Sequence, residues 1–597
     1  MREQQLQPLV QALRSGKLGR RAFMKASAAA GVTAAAAGVL ADSALAQDAT
    51  PDASPVGEAT KSITRDEYLA TLRAAFPYEE AEAEGGQVII ASTSDIATLN
   101  PVVRSDVIAL YAINNIFNYL ATQSPIDGTM FPDLADYWEL GADGMTYTFY
   151  LNQNATWHDG EPVTADDCVM TFDAVMDEES ISPMASDFIQ NVASYRAVDT
   201  HTFEMKAPAP AALVLEKTVG AIPIMPKHIW GDIPHSEWAS SPGSTGTDPS
   251  KVIGSGPFVF KEWALGDHVT ISRNENYWLP DGVPHIDEFT IQVIAEPETA
   301  VQSVVVGDTD MFRGLAPTQI ERVRSNNAAI EIVTYETMSF GGFVMNASQE
   351  RASFFSDTAV RQALMYAVDR ELVVESMLDG LGTPSIGVQP PPSPAYAPDQ
   401  VTTVYNYDPE KAMQLLEDAG WVDSDGDGIR EKDGVKFSAE FLFSEGSTLY
   451  EQLIPYLKQV FADVGVEVLP KSVPAPTLSE QVVGTGDYEI STTGITWTLD
   501  DQGVLYRCDA FPPAGFNLPR HCNPEYDRLN TESQTELDPE KRRQLMIDQG
   551  NISNDDAHWG IMYFGQGVFP VNSRVRNAFF SAYTELFSYA DLWIKAE

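Results

Sequence analysis

Compact apolar runs of strand length trade places along this chain with stretches of helical period. Gln87-Val88-Ile89-Ile90-Ala91 is one such run, and the spacing of Leu110, Ile113, Ile116, Phe117 and Leu120 predicts a helix over 108–120. Ile253-Gly254-Ser255-Gly256-Pro257 is a Gly-Pro turn that feeds an alternating strand (Phe258, Phe260). A second turn at Gly266-Asp267 and a return strand (Val269, Ile271) complete a hairpin with Trp263, Tyr277 and Trp278 as aromatic anchors. The alternation continues through a strand at 289–294, a helix at 300–306, a strand at 343–346 and a helix at 358–369. That order predicts mixed α/β lobes and neither a sandwich nor a bundle. Residues 47–86 are Ala/Pro/Glu/Asp-rich and read as a mobile spacer, broken by a short amphipathic helix over 66–76 with Tyr68, Leu69, Leu72 and Phe76 on one side. Gln389-Pro390-Pro391-Pro392-Ser393-Pro394 must be an extended loop.

A chain of 597 residues exceeds the usual domain length of roughly 100–200 residues, so two or three domains are expected. Its 85 acidic against 38 basic residues give a net charge of −47. Such a surface repels phosphate backbones, which excludes nucleic acid as a partner and favours solubility and cationic ligands. Gly19-Arg20-Arg21-Ala22-Phe23-Met24-Lys25 precedes a weakly apolar Ala/Gly run that ends in Ala44-Leu45-Ala46, the pattern of a twin-arginine export signal over 1–46. The expected location is the periplasmic or extracellular side of the membrane. No cysteine marks a lipoprotein anchor near the cleavage pattern, and no later run approaches the roughly 20 apolar residues of a membrane helix.

Oxidising surroundings make the cysteines legible. Cys508 and Cys522 enclose a Pro/Gly-rich loop, Phe511-Pro512-Pro513-Ala514-Gly515, with little core of its own, and a disulfide there is expected. Cys168 falls in a helical run and reads as a small buried apolar residue. Three cysteines with scattered histidines make no zinc pattern. Asp423, Asp425 and Asp427 stand at alternate positions with Gly426 and Gly428, as at the opening of a calcium loop. The twelfth position, where a bidentate carboxylate belongs, is Gly434, with Asp433 one place early and Glu431 as another candidate; an Asx/Gly turn is the alternative. His158-Asp159 lies in a tight turn before a helix whose Thr164 and Asp167 resemble a capping box, so a structural role is expected there. No nucleophile elbow, zinc-protease helix or phosphate loop appears, which leaves hydrolase and nucleotide chemistry without residues to rest on.

Several blocks occur in an order that carries a resemblance. They are Asp133-Leu134-Ala135-Asp136-Tyr137-Trp138, then Asp143-Gly144 through Phe149 with Trp157-His158-Asp159-Gly160, then the Gly254–Trp278 block, then Val360-Arg361-Gln362-Ala363-Leu364 with Asp369-Arg370. Together they resemble the family 5 extracellular solute-binding proteins of ABC importers, the dipeptide and oligopeptide receptors. The resemblance implies a two-lobed periplasmic-binding-protein fold of type II, in the large peptide-binding variant with an extra subdomain. One lobe would take 87–295 and be completed by 561–597, and the other 296–560. It further implies a non-catalytic monomer that captures a peptide between the lobes and delivers it to a membrane permease with separate ATPase subunits; the alternative is the same role for an oligosaccharide or a metal chelate. Trp497-Thr498-Leu499-Asp500 matches the family's Trp-x-x-Asp, whose Asp pairs with a peptide ammonium. Asp501-Gln502-Gly503 departs from the usual continuation and brings Asp501 into the same charge; a capping or surface carboxylate pair beside a core Trp is the structural alternative. Asp500 and Asp501 are neighbours on a strand and so point to opposite faces, which argues against a carboxylate-pair hydrolase. Phe340-Gly341-Gly342-Phe343-Val344 offers either a main-chain binding edge or plain turn glycines.

Overall fold

The computed structural model describes residues 60–595, apart from 180, 280–281, 317–318, 349–352 and 497–501. The export signal over 1–46 and the spacer as far as 59 lie outside the described residues.

One mixed sheet carries most of the strands. Across it the order is Glu467–Val473, Ser438–Ser444, Ile490–Thr496, Ile330–Met345, Trp559–Asn572, Met311–Phe312, Gln87–Ser92, Glu288–Val293, His268–Arg273 and Phe258–Ala264. The last two form the expected hairpin, turning at Gly266 with φ 75°. A separate antiparallel meander takes the order Ala135–Leu140, Thr146–Leu151, Thr202–Lys206 and Ser194–Asp199. The helix Ala165–Met176 covers it, with Phe172 against Phe188, Tyr195 and Phe203. This is the additional subdomain.

Two strands are far longer than the rest, Ile330–Met345 with 16 residues and Trp559–Asn572 with 14, and they run antiparallel from one hydrophobic core into another. Phe569 and Val571 belong to a core with Val88, Ile90, Phe289 and Met311. Phe343 and Met345 belong to one with Leu364, Phe441, Leu457 and Phe461, and Phe340, Trp559 and Phe564 to an adjoining one with Tyr488 and Leu505. Between the cores the register slips: Glu336 faces Gln566 and Phe340 faces Phe564, so three residues, 337–339, lie opposite the single residue 565. Such bulges bend and twist a sheet. Two lobes thus meet where both strands are irregular.

That crossing, at 336–340 and 564–567, corrects the lobe boundaries read at 295 and 560. Helix Pro297–Val306 and strand Met311–Phe312 return to the first lobe: Met311 pairs with Ile90, and Ala300, Val301, Val304 and Phe312 share a core with Ala91. A crossover helix carries the chain back to a parallel neighbour strand, and nothing in its apolar pattern says which sheet it returns to.

The spacer reading over 65–86 is corrected as well. Helix Arg65–Ala75 is closed by a capping box of Thr64 and Glu67, and Tyr68 stacks on Phe131 with ring centroids 3.6 Å apart. Arg65 is buried, its guanidinium 4.8 Å from the Trp278 ring and 3.1 Å from Asp136. Phe76 contacts Phe579 and Phe587. A few aromatic anchors hold a segment whose average composition is that of a linker.

The Gly254-Ser255-Gly256 block works as a staple. A Cβ on Gly254 would stand 1.8 Å from the Ile116 carbonyl oxygen, and one on Gly256 2.3 Å from that of Asn115. The two segments approach so closely that only glycine fits. The freed contacts are main-chain bonds: Gly256 N–H donates to Ile116 O at 2.8 Å, and Trp278 Nε1 donates to Ser255 O at 3.0 Å. Ser255 and Tyr277 both bond Asn118, which donates to the buried carboxyl of Asp133 at 2.9 Å. Two of the sequence blocks that carry the resemblance, 133–138 and 254–278, are therefore partners in one network of the first lobe.

Candidate functional site

Strand Ile490–Thr496 lies between Ser438–Ser444, parallel, and Ile330–Met345, antiparallel. It is buried through Thr493 and exposed at Gly494 and Thr496. Thr496 pairs with Ser339, inside the three-residue irregularity of the crossing. The strand therefore ends at the junction of the lobes. Trp497, Asp500 and Asp501 come next and lie outside the described residues. The chain is anchored again at Gln502, whose Nε2 donates to Gln389 Oε1 at 2.9 Å, and the helix Gly503–Tyr506 follows.

The crossing itself holds polar groups that sequence reasoning missed. Glu336 Oε1 accepts from Thr383 Oγ1 at 3.1 Å and Gln566 Nε2 at 2.9 Å, while its buried Oε2 has no partner among the described residues. Arg313 grips Glu585 with two N–H bonds of 2.9 Å, and Tyr111 Oη donates to the same carboxylate at 2.8 Å. A lone acid in an alternating strand and a distant Arg–Glu pair leave no signal in the sequence. Hydrogen bonds also join the lobes elsewhere, among them Ala212 N–H to Gln534 O at 2.8 Å and Tyr583 Oη to Pro392 O in the proline loop.

Phe340-Gly341-Gly342-Phe343-Val344 is neither a free edge nor a turn. It is paired on both sides, with Gly341 opposite Gly494 and Tyr563. A Cβ on Gly341 would meet the Tyr563 ring at 2.2 Å, and one on Gly342 the Gly560 carbonyl oxygen at 2.0 Å. The glycines admit neighbouring strands.

Cys508 and Cys522 are joined by a disulfide with Cα atoms 4.5 Å apart, and Cys168 is buried and free. Within that loop Asn517 Nδ2 donates to the carbonyls of Tyr506, Arg507 and His521 at 3.1, 2.9 and 2.7 Å. In the acidic turn, Asp423 accepts from Gly426 N at 2.7 Å and Gly428 N at 3.0 Å. The Lys436 ammonium bonds Asp427 and lies 3.2 Å from Asp425. Asp423, Asp425 and Glu431 bring carboxylate oxygens within 4.8 Å of one another. Asp427, expected in a calcium set, is committed to Lys436, and Glu431 stands closer to the other two.

His158 is locked in place: Nε2 meets Gly256 O at 3.0 Å and Nδ1 accepts from Gly254 N–H at 3.2 Å, which fixes the Nε2–H tautomer. Burial pushes its pKa down to about 4. Thr164 and Asp167 form the full capping box on the helix that follows. Among the described residues no helix is long and apolar enough to cross a membrane.

Two α/β lobes joined by a pair of crossing strands, with a further strand ending at their junction, have the architecture of a solute-binding receptor. Residues 129–511 match the model of the bacterial extracellular solute-binding proteins, family 5 (middle region), and the chain belongs to that family. It is 25% identical over 518 residues to the oligopeptide-binding protein AppA of Bacillus subtilis, covering 86% of this chain and 92% of the relative. It is 24% identical to the glutathione-binding protein GsiB of Salmonella typhimurium, over 82% of this chain and 90% of the relative. The solved structure of AppA in complex with a nonapeptide aligns with a TM-score of 0.63 at 24% identity, over 86% of this chain and 100% of the other. The ABC transporter substrate-binding protein CtaP of Listeria monocytogenes aligns with a TM-score of 0.72 at 25% identity, over 86% and 99%.

Proposed function

We propose that this protein is the extracytoplasmic substrate-binding receptor of an ABC importer, which captures peptides between its two lobes and hands them to a membrane permease served by separate ATPase subunits. The observation that carries this reading is the near full-length likeness to AppA, an oligopeptide-binding protein whose structure holds a nonapeptide. The register of Ile490–Thr496 supports it, because the strand ends opposite Ser339 at the crossing of the lobes, directly before Trp497 in the sequence. There Asp500 pairs with the ligand ammonium in a cleft of low dielectric, Asp501 shares the charge and Trp497 supplies an apolar wall. The ligand binds through main-chain hydrogen bonds and hydrated side-chain pockets. Function is then a conformational equilibrium, with the closed state favoured by contacts to both lobes. Export through the twin-arginine signal at Arg20-Arg21, either removed at the Ala44-Leu45-Ala46 pattern or kept as a membrane tether, completes the proposal.

The test is native mass spectrometry for co-purifying ligand, followed by thermal unfolding with di- to pentapeptides, oligosaccharides and metal chelates. A peptide at a hundred times its dissociation constant should add about 2.7 kcal/mol of stability, and Asp500→Ala should abolish that shift while leaving the ligand-free melting temperature unchanged. A shift with a sugar or chelate and none with peptides overturns the peptide assignment.

A further inference from the structure

In the second lobe, three chain segments far apart in sequence bring two imidazoles and a carboxylate together. His521 comes from the end of the disulfide loop, Asp556 from the last turn of helix Pro539–Asp556, and His558 from the residue before strand Trp559–Asn572. One ligating atom of each lies within 4.8 Å of the others. His521 Nε2 is 3.4 Å from Asp556 Oδ2. A tetrahedral ion with ligands at 2.0–2.2 Å spaces its ligand atoms by about 3.4 Å, so one edge of the site already has its length.

The three residues line a cavity of about 10 Å³ open to the centre of a water-sized sphere, together with Tyr506, Ser553 and Asn523. His558 is 3% exposed, and its Nε2 has no hydrogen-bond partner among the described residues. Tyr506 Oη and Ser553 Oγ on the same cavity are buried and lack partners there too. Buried polar atoms are nearly always satisfied, so three around one small void call for an occupant with several polar bonds to give. The carboxylate is held from outside by Asn523, whose Nδ2 donates to Asp556 Oδ2 at 2.9 Å, and the main-chain carbonyl of Asp556 accepts from Arg361 Nε at 2.7 Å. Fixing a ligating carboxylate by such outer hydrogen bonds is the usual construction of a metal site.

We infer that His521, Asp556 and His558 bind a divalent transition-metal ion of the zinc class, with water completing the coordination. Two nitrogens and one carboxylate oxygen suit such an ion and do not suit calcium or magnesium, which take oxygen ligands. The imidazoles lie face to face, with centroids 3.8 Å apart and planes inclined by 30°; binding turns His521, one-third exposed, out of this stack to point its nitrogen at the ion. The ion then ties the disulfide loop to the start of a strand that runs to the lobe crossing. This site is independent of the identity of the transported ligand.

The test uses the full mature chain without a polyhistidine tag, stripped with a chelator and titrated with cobalt(II), followed by visible absorption, and with zinc(II), followed by calorimetry and thermal unfolding. One equivalent of cobalt should give absorption bands of a nitrogen-ligated ion, zinc should displace it, and His521→Ala should weaken both by at least tenfold. His521 sits at the surface of the cavity, so its removal leaves the fold intact by circular dichroism; Asp556→Asn should act in the same direction. No cobalt bands and no zinc heat in the wild-type chain, or binding unchanged in His521→Ala and lost in Asp423→Asn, overturns the inference, the latter by moving the ion to the acidic turn.

Discussion

At the scale of single residues, the glycines of the Gly254–Trp278 block serve the close approach of two main chains. Gly254 and Gly256 let two main chains touch, and His158 bonds both of them from the side. This gives His158 a measurable titration. Its folded pKa near 4 lies below the ordinary 6.5, so the unfolded chain binds a proton between those values that the folded protein refuses. Stability from this group is full above pH 6.5 and is lost as pH falls toward 4. Asp133 acts in the opposite sense: burial raises its pKa to about 6, so the folded protein keeps a proton that the unfolded chain gives up above pH 3.8. Denaturant unfolding across pH 7 to 4 should show a His158-dependent loss of roughly 3 kcal/mol, and His158→Gln should flatten that slope. An unchanged slope would mean that His158 is protonated in the folded protein.

At the scale of elements, the alternation of apolar and polar positions announces the strands and helices well, but it does not announce their extent. The hairpin at 258–273 and the helix after Thr164 are where the pattern puts them. The strand at 343–346 turns out to be the end of Ile330–Met345, because its earlier half carries exposed and polar residues that read as loop. The disulfide loop is an element of another kind, held by the Cys508–Cys522 bond, by Asn517 and by Leu518, which packs in the core of Phe340, Val344 and Tyr488. Closing a loop of sequence separation 14 should contribute on the order of 3 kcal/mol by the chain-entropy estimate. Urea unfolding of Cys508→Ser/Cys522→Ser should therefore show a loss of about that size, matched by reduction of the wild-type protein; a loss under 1 kcal/mol would mean that the non-covalent contacts of Asn517 and Leu518 order the loop.

At the scale of the whole molecule, the lobes are joined by two long strands that are irregular at the junction and by hydrogen bonds such as Tyr583 to Pro392 and Ala212 to Gln534. An irregular pair of strands is a natural place for bending, and the bonds away from it are further ties between the lobes, which would act as latches if the lobes open about the crossing. Tyr583→Phe removes one latch and keeps the ring that lies against Gly128. By small-angle scattering, the ligand-free variant should have a larger radius of gyration than the wild type, and a saturating peptide should bring both to the same compact value. Identical radii in the absence of ligand would show that Tyr583 does not hold the lobes together.

The sequence by itself determined the fold class, the hairpin, the capped helices, the loop closed by Cys508 and Cys522 and the order of family blocks, because each rests on neighbours a few residues apart whose spacing is written in the chain. Tertiary structure alone decided where the lobes cross, why Gly341 and Gly342 are glycines, that residues 65–86 are anchored by Tyr68 and Phe76, and that Glu336 lies at the junction. It also gathered His521, Asp556 and His558, which in the sequence are scattered histidines and one acid among many. The physical reason is the same throughout: these are contacts between distant segments, and a local pattern fixes which face of an element is apolar but not which other element will cover it.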